Sequence, residues 1–242
     1  MQDSESLAGR IVLVTGAGSG LGAALCAQLG ADGARVAALD IDPRRASEVV
    51  ERLGADGAEA AAFAGDVGVA ADGSRVLEGV LARFGGLDAL VNCAGIDVTA
   101  PIEEIGMDAW ERVLRTNLTG PFLLSKLARE HLAPGGHIVN VASTAARRAW
   151  PNACAYHASK WGLMGLTHAL HAELRPAGIK VSAIIAGGMR TPFLMDRFPD
   201  IDPEVLQDPA HVARAIRFVL TQPGESVIPE VMVLPLRETS WP

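Results

Sequence analysis

Short apolar runs rich in β-branched residues alternate along the chain with segments whose apolar positions recur every three or four residues. The first run, residues 10–15, reads RIVLVT; glycines follow, then a helical pattern over residues 21–29. A second run, residues 34–39, ends against Asp40, and Pro43 opens a helix predicted over residues 44–54. Next come a strand at residues 58–64, a helix at 74–84 with Val76, Leu77, Val80 and Leu81 on one side, and a strand at 87–91. A long helical stretch is predicted for residues 108–132, kinked or broken where Gly120 and Pro121 interrupt it. The series closes with a strand at 137–142, a helix at 156–174, a strand at 180–185, a helix at 209–220 capped by Asp208, and an apolar run at 227–234.

Seven strands alternating with helices need helical layers on both faces of a mainly parallel sheet. The expected fold is therefore α/β: a Rossmann-like, doubly wound sandwich whose seven-stranded parallel sheet is flanked by helices. With 242 residues and no linker or repeat, one domain spanning 1–242 is expected. The irregular stretch 187–207, with Pro192, Pro199 and Pro203, reads as a substrate-side lid or a surface loop. A net charge of -7 argues against nucleic acid or anionic membrane as partners, because both recognitions rest on clustered positive charge. No apolar run is long enough to span a bilayer, and the amino terminus lacks a basic-then-apolar leader, so a cytoplasmic location is expected. Cys26, Cys93 and Cys154 lie far apart, giving neither a disulfide framework nor a thiolate metal site. His168 and His171 share a helix but have no evident third ligand, so no metal is expected.

The first turn carries the chemistry of a nucleotide site. Residues 15–22 read TGAGSGLG between the first strand and the first helix. Gly16 allows a tight turn, Gly20 lets a pyrophosphate approach the helix N-terminus, and Gly22 permits close packing of helix on sheet. About twenty residues on, Asp40 ends the second strand, where a carboxylate accepts ribose hydroxyls. A 2′-phosphate would meet that negative charge, and Ser19 offers no cation, so NAD is expected over NADP. Arg44 and Arg45 are either solvent-facing helix residues or, folded back, a rescue for phosphate.

Tyr156 is the sole tyrosine, and Lys160 follows four residues later on the same helix face. A nearby ammonium should favour the phenolate, making the pair a proton-exchange device; the plainer alternative is a packed aromatic beside a solvated amine. Ser143 is delivered to the carboxyl edge of the sheet, within reach of the same substrate oxygen.

Over nearly its full length the chain resembles the short-chain dehydrogenase/reductase family, through TGAGSGLG, Asp66, NCAG at residues 92–95, Asn117, Ser143 and YHASK at residues 156–160. The resemblance implies Tyr156 as acid/base, Lys160 holding the nicotinamide ribose, Ser143 orienting the substrate oxygen and Asn117 distorting its helix so that water reaches Lys160. It also implies NAD contacts from Gly16, Ser19, Gly20, Leu21, Gly22, Asp40, Ile41, Asp66, Val67, Asn92, Ala94, Gly95, Gly187, Met189 and Thr191, besides Tyr156 and Lys160. The chain departs from the family pattern where Ala186 and Gly187 replace a Pro-Gly pair, and in its last residues, where Trp241 is expected to anchor the tail.

The same resemblance places residues 144–155 and 187–207 along a substrate cleft. Ser143, Trp150, Met189, Phe193 and Met195 are then expected at the substrate, and Arg147 or Arg148 could pair with an anionic group on it. The implied activity is NAD-dependent interconversion of a small secondary alcohol and a ketone by hydride transfer. An epimerase or dehydratase working through transient oxidation, and a non-catalytic nucleotide-binding protein, are the rivals. A homotetramer or homodimer is implied, joined through the helices at 108–132 and 156–174.

Overall fold

The structure, a computed structural model, describes residues 6–237. Seven parallel strands form one sheet: β1 (Ile11–Thr15), β2 (Arg35–Asp40), β3 (Ala60–Ala64), β4 (Leu87–Asn92), β5 (Leu132–Ser143), β6 (Lys180–Ala186) and β7 (Glu230–Val233). Their order is β3-β2-β1-β4-β5-β6-β7. Parallel neighbours cannot be joined by hairpins, so the chain returns through helices. These are α1 (Gly20–Ala31), α2 (Pro43–Ala55), α3 (Ala70–Phe84), α4 (Met107–Leu114), α5 (Gly120–Arg129), α6 (Cys154–Leu174), α7 (Pro192–Met195) and α8 (Pro209–Leu220).

Strand side chains alternate between faces, and both faces are covered, which explains the continuous apolar runs. Val12, Val14, Val36 and Val139 pack under Leu25 and Leu29 of α1, Val49 and Leu53 of α2, and Val212 and Ile216 of α8. Their neighbours Ile11, Leu13, Ala37 and Ile138 face Val76, Leu77 and Val80 of α3 and Leu124 and Ala128 of α5. The chain winds outward from β1 to β3, then crosses back to β4 and proceeds the other way. At that reversal the carboxyl ends of β1 and β4 part and leave a crevice. No helix among the described residues is long and apolar enough to cross a membrane.

Several boundaries differ from the sequence expectation for identifiable reasons. The long helix is three pieces: α4, a π-helical turn (Arg115–Thr119) and α5, which stops at Arg129. Pro121 has no N–H to close a regular turn onto the carbonyl of Asn117, and Pro134 disfavours helix just beyond α5. β5 starts early, pairing Leu132 with Leu87 before a register shift restores the ladder at Ala89 and His137. α3 begins at Ala70 and runs through Gly73, whose bare Cα leaves room for Leu124 and Leu127 of α5. β7 is shorter than expected because Pro229 can only accept, from the Ala183 N–H, at its start. Asp208 caps α8 as expected, accepting from the Ala210 N–H at 2.8 Å. The expectation for Trp241 lies outside the described residues.

Candidate active site

A cleft of about 1170 Å³ opens at the carboxyl edge of the sheet, over the β1/β4 reversal. One wall is the glycine turn. A Cβ on Gly22 would stand 2.1 Å from the Gly16 carbonyl oxygen, so only glycine lets α1 start this close to β1. The Thr15 hydroxyl ties the turn to β4 by accepting from the N–H groups of Cys93 (3.1 Å) and Ala94 (3.0 Å). Asp40 is buried at the end of β2, and its two oxygens accept from the N–H groups of Gly18 (2.8 Å) and Asp42 (3.0 Å). The carboxylate is thereby held in the cleft wall by the loop it faces. Gly16, Ser19, Gly20, Leu21, Gly22, Asp40, Ile41, Asp66, Val67, Ala94, Gly95, Gly187, Met189 and Thr191 all line the cleft.

At the cleft floor, Ser143 ends β5 and Tyr156 stands in the first turn of α6, and both line the cleft. Lys160 is buried one turn on, donates to the Val141 carbonyl at 2.8 Å, and has its Nζ 5.7 Å from the Tyr156 ring centre. The electrostatics differ from the sequence expectation. Burial pushes the Tyr156 phenol up to about 12, against the pull of the Ser143 hydrogen bond. Burial likewise brings Lys160 down to about 8. Each group is driven toward its neutral form because desolvation outweighs any mutual attraction across this distance.

Asn117 does not line the cleft. Fully buried in the π-helical turn, it accepts from the Ile96 N–H and donates to the Ile96 carbonyl, both at 2.8 Å, and to Ser159 Oγ at 3.0 Å. Ser159 in turn donates to the Tyr156 carbonyl at 2.7 Å. Asn117 thus pins the loop after β4 to the turn of α6 that carries Tyr156.

Three expectations are corrected. Asn92 is not at the cleft: paired in register with Asn140, it donates to that side chain at 2.8 Å inside the sheet. Arg147 points away, ion-paired with Glu230 of β7, which also takes His168 Nε2 at 2.6 Å. The short 3-10 turn at Thr144–Ala146 rotates the chain so that Arg148, not Arg147, lines the cleft. Met195 does not line the cleft, whereas Phe193, Leu194 and Phe198 do. Trp150 lines it too.

Sequence reading missed three side chains. His157 places Trp150: the Nδ1–H donates to the Ala145 carbonyl at 2.9 Å, Nε2 accepts from the Trp150 N–H at 3.1 Å, and the two rings meet edge-on at 4.4 Å. Asp97, two residues past Gly95, is ion-paired with Arg197 from the stretch after α7. A carboxylate on a loop at the carboxyl edge of the sheet was the one available signal for Asp97.

The sequence profile of the short chain dehydrogenase family matches residues 10–202. The chain is 41% identical over 180 residues to a D-threitol dehydrogenase of Mycolicibacterium smegmatis, covering 74% of this chain and 69% of that one. Among solved structures it is similar to a 3-ketoacyl-(acyl-carrier-protein) reductase of Brucella melitensis complexed with NADH, with a TM-score of 0.86, 32% identity, and 96% and 99% of the two chains covered. It is similar also to a short chain dehydrogenase of Burkholderia cenocepacia in complex with NADP, with a TM-score of 0.87, 30% identity, and 95% and 98% covered. The match of sequence, fold and cleft together shows that the chain belongs to the short-chain dehydrogenase family of NAD(P)-dependent oxidoreductases, which pass a hydride between an alcohol or ketone and the dinucleotide.

Proposed function

We propose that this chain interconverts a secondary alcohol and its ketone with NAD(H) preferred over NADP(H), and that Tyr156 exchanges the proton. The observation that carries the reading is that Ser143, Tyr156 and Lys160 line the floor of one cleft whose far wall is a glycine turn. That wall fits a dinucleotide: the bare Cα of Gly18 lies against Asp40, where a Cβ would come within 2.9 Å of its carboxylate. Gly16 and Gly20 leave backbone open for the pyrophosphate, Gly22 lets α1 pack against that turn, and Asp40 receives the ribose. When bound, the nicotinamide gives or takes the hydride. Ser143 Oγ holds the substrate oxygen, and Tyr156 Oη donates a proton to a ketone or, as phenolate, takes one from an alcohol. Lys160 supplies positive charge beneath Tyr156, and Asn117 keeps α6 aligned with the loop after β4.

Asp40 favours NAD because its negative charge faces the position of a 2′-phosphate. Arg45 lines the same wall, but Asp42 occupies it at 3.7 Å. The stretch 187–207 acts as a lid. Its ends are tied together where the Gly188 carbonyl accepts from Gln207 at 3.0 Å and the Gln207 carbonyl from Arg190 at 2.9 Å, and Phe193 reaches over Tyr156 at 5.9 Å between ring centres. Phe122 on α5 and Trp161 on α6 are exposed and mark the face through which copies assemble into a dimer or tetramer. The free cysteines and the net charge of -7 support a cytoplasmic enzyme with no nucleic-acid or membrane partner.

The decisive test replaces Tyr156 by Phe. NADH binding, read by fluorescence, should persist, while turnover of every alcohol and ketone falls by about a thousandfold or more. Full activity in Tyr156→Phe would overturn the assignment.

A further inference from the structure

The irregular stretch between β5 and α6 carries an aromatic wall that is held from both sides. Trp150 is half-buried, lines the cleft, and packs against the cluster of Ala145, Ala153 and Tyr156. That packing puts it at the Tyr156 end of the cleft, not at the glycine turn. Beyond it Pro151 fixes one backbone angle and Asn152 takes a left-handed conformation at φ 65°, while the Asn152 carbonyl accepts from the Ala100 N–H at 2.9 Å. The Trp150 N–H is taken by His157 Nε2 at 3.1 Å, and the two rings meet edge-on at 4.4 Å between centres. His157 is buried, and both its nitrogens face groups of fixed role. A backbone N–H can only donate and a carbonyl only accept, so the imidazole is neutral, with its proton on Nδ1 and given to the Ala145 carbonyl at 2.9 Å. The Ala145 N–H in turn donates to Ser143 Oγ at 3.2 Å. One imidazole on the helix of Tyr156 therefore fixes both the wall and the residue that steadies the Ser143 hydroxyl.

What such a wall recognises follows from its chemistry. The indole offers a broad apolar surface, and the Phe193 ring, 5.9 Å from that of Tyr156, adds a second one at the same end of the cleft. Asp97 and Arg197, which also line that end, pair with each other. We propose that Trp150 binds an apolar ring carried next to the reacting carbon, so that ring-bearing secondary alcohols and their ketones are the substrate class, and that His157 is the positioning residue that holds this wall. The assignment rests on the alcohol-oxidoreductase reading above. An aromatic side chain already fixed before the ligand arrives loses little freedom on binding, so its contact area goes into selection.

The test compares kcat/KM for methyl cyclohexyl carbinol and for methyl ethyl carbinol, which share the reacting group and differ in the ring, with NAD and NADP run in parallel. The wild-type enzyme is expected to favour the ring by about a hundredfold. Trp150→Ala should lower that ratio by about tenfold, chiefly by raising KM for the ring, and Trp150→Phe, which keeps an apolar ring, should restore most of it. Two variants of His157 each keep one contact. Gln sets its amide where Nε2 lies and can still accept from Trp150, whereas Asn sets its amide where Nδ1 lies and can still donate to Ala145. His157→Gln should therefore keep the ring preference and lower kcat on both alcohols, while His157→Asn should lose about threefold or more of the preference itself. NADH binding by fluorescence checks that each variant retains its fold. An unchanged ratio in Trp150→Ala would overturn the wall, as would weaker NADH binding as the sole change in that variant. Equal ratios in the two His157 variants would overturn the positioning role. Faster turnover of the carboxylated ring alcohol than of its neutral parent would give the selection to Arg148, which lines the same cleft, and overturn the apolar class. Equal wild-type turnover of the two carbinols sinks the proposal alone, whereas no turnover of any alcohol or ketone removes the oxidoreductase reading with it.

Discussion

Tyr156 is buried at the floor of the cleft, and its phenol is pushed up to about 12, so at neutral pH it is a proton donor and not a base. The direction of reaction should therefore set the pH profile. Reduction needs the neutral phenol and should stay level from pH 6 until Lys160 loses its charge near pH 8; oxidation needs the phenolate and should rise with pH, about tenfold per unit at its steepest, and flatten as that charge is lost. Matched kcat/KM profiles in both directions check this, and an oxidation rate that falls as pH rises would contradict it. Asp40 supports a second expectation. Asp40→Ser removes the charge facing a 2′-phosphate while a hydroxyl can still accept from the Gly18 N–H. The ratio of NADPH to NADH dissociation constants should fall by about tenfold or more, the equivalent of about 1.4 kcal/mol. These residues were legible because short spacings carry them: Tyr156 to Lys160 is one helical turn, and Gly16 to Asp40 is one strand-helix-strand unit. Which of Arg147 and Arg148 faces inward was not legible, because three residues of 3-10 turn decide it. Asp97 and Arg197 are a hundred positions apart, so only the tertiary fold brings them together.

The elements fix how close the nucleotide wall comes to the sheet. α1 begins on Gly20 and passes Gly22 with its backbone against the Gly16 carbonyl, so a methyl at Gly22 has nowhere to go without moving the helix off β1. Gly22→Ala should cost about 1–3 kcal/mol of stability by overpacking. Denaturant unfolding would register that loss, and NADH titration should show weaker binding because the pyrophosphate end of α1 is displaced. Unaltered affinity would mean that the helix position does not define the site. The π-helical turn is the other element-scale device. Its wider winding carries Asn117 inward to Ile96 and Ser159, and so couples β4 to α6 across the floor of the cleft. Apolar periodicity ran straight through this turn, since one extra residue barely disturbs the spacing of Val113, Leu118 and Leu124. Pro121 flagged a break there without disclosing that the helix widens instead of bending.

At the scale of the whole molecule, the two apolar layers were legible because each strand run is buried on both faces, whereas the polar pairs within them were hidden among ordinary residues. His137 in β5 is one of these. It is fully buried, and its Nε2 lies 2.8 Å from Ser182 Oγ in the adjoining strand. The Ser182 hydroxyl donates its only proton to the Ile228 carbonyl at 2.6 Å, so Nε2 must be the donor to Ser182. Nδ1 is then an unprotonated nitrogen, buried with no partner. Adding a proton there would place a charge in the core, and burial, reinforced by Lys180 and Arg10, brings the imidazole down to about 3. The unfolded chain takes up that proton near pH 6.5, where a free histidine titrates, and the folded chain does not. Between about pH 6.5 and 3 the unfolded state therefore binds more protons, and stability falls as pH falls, by up to about 1.4 kcal/mol per unit from this residue. Above pH 6.5 the contribution is complete and constant. Urea unfolding at pH 5 and pH 7 should show the decline in the wild-type chain, and His137→Leu should flatten it. That variant also leaves Ser182 without its donor, so its stability at pH 7 drops, and the slope of stability against pH, rather than its absolute value, carries the test. An equally steep slope in His137→Leu would show that carboxylates elsewhere govern acid unfolding.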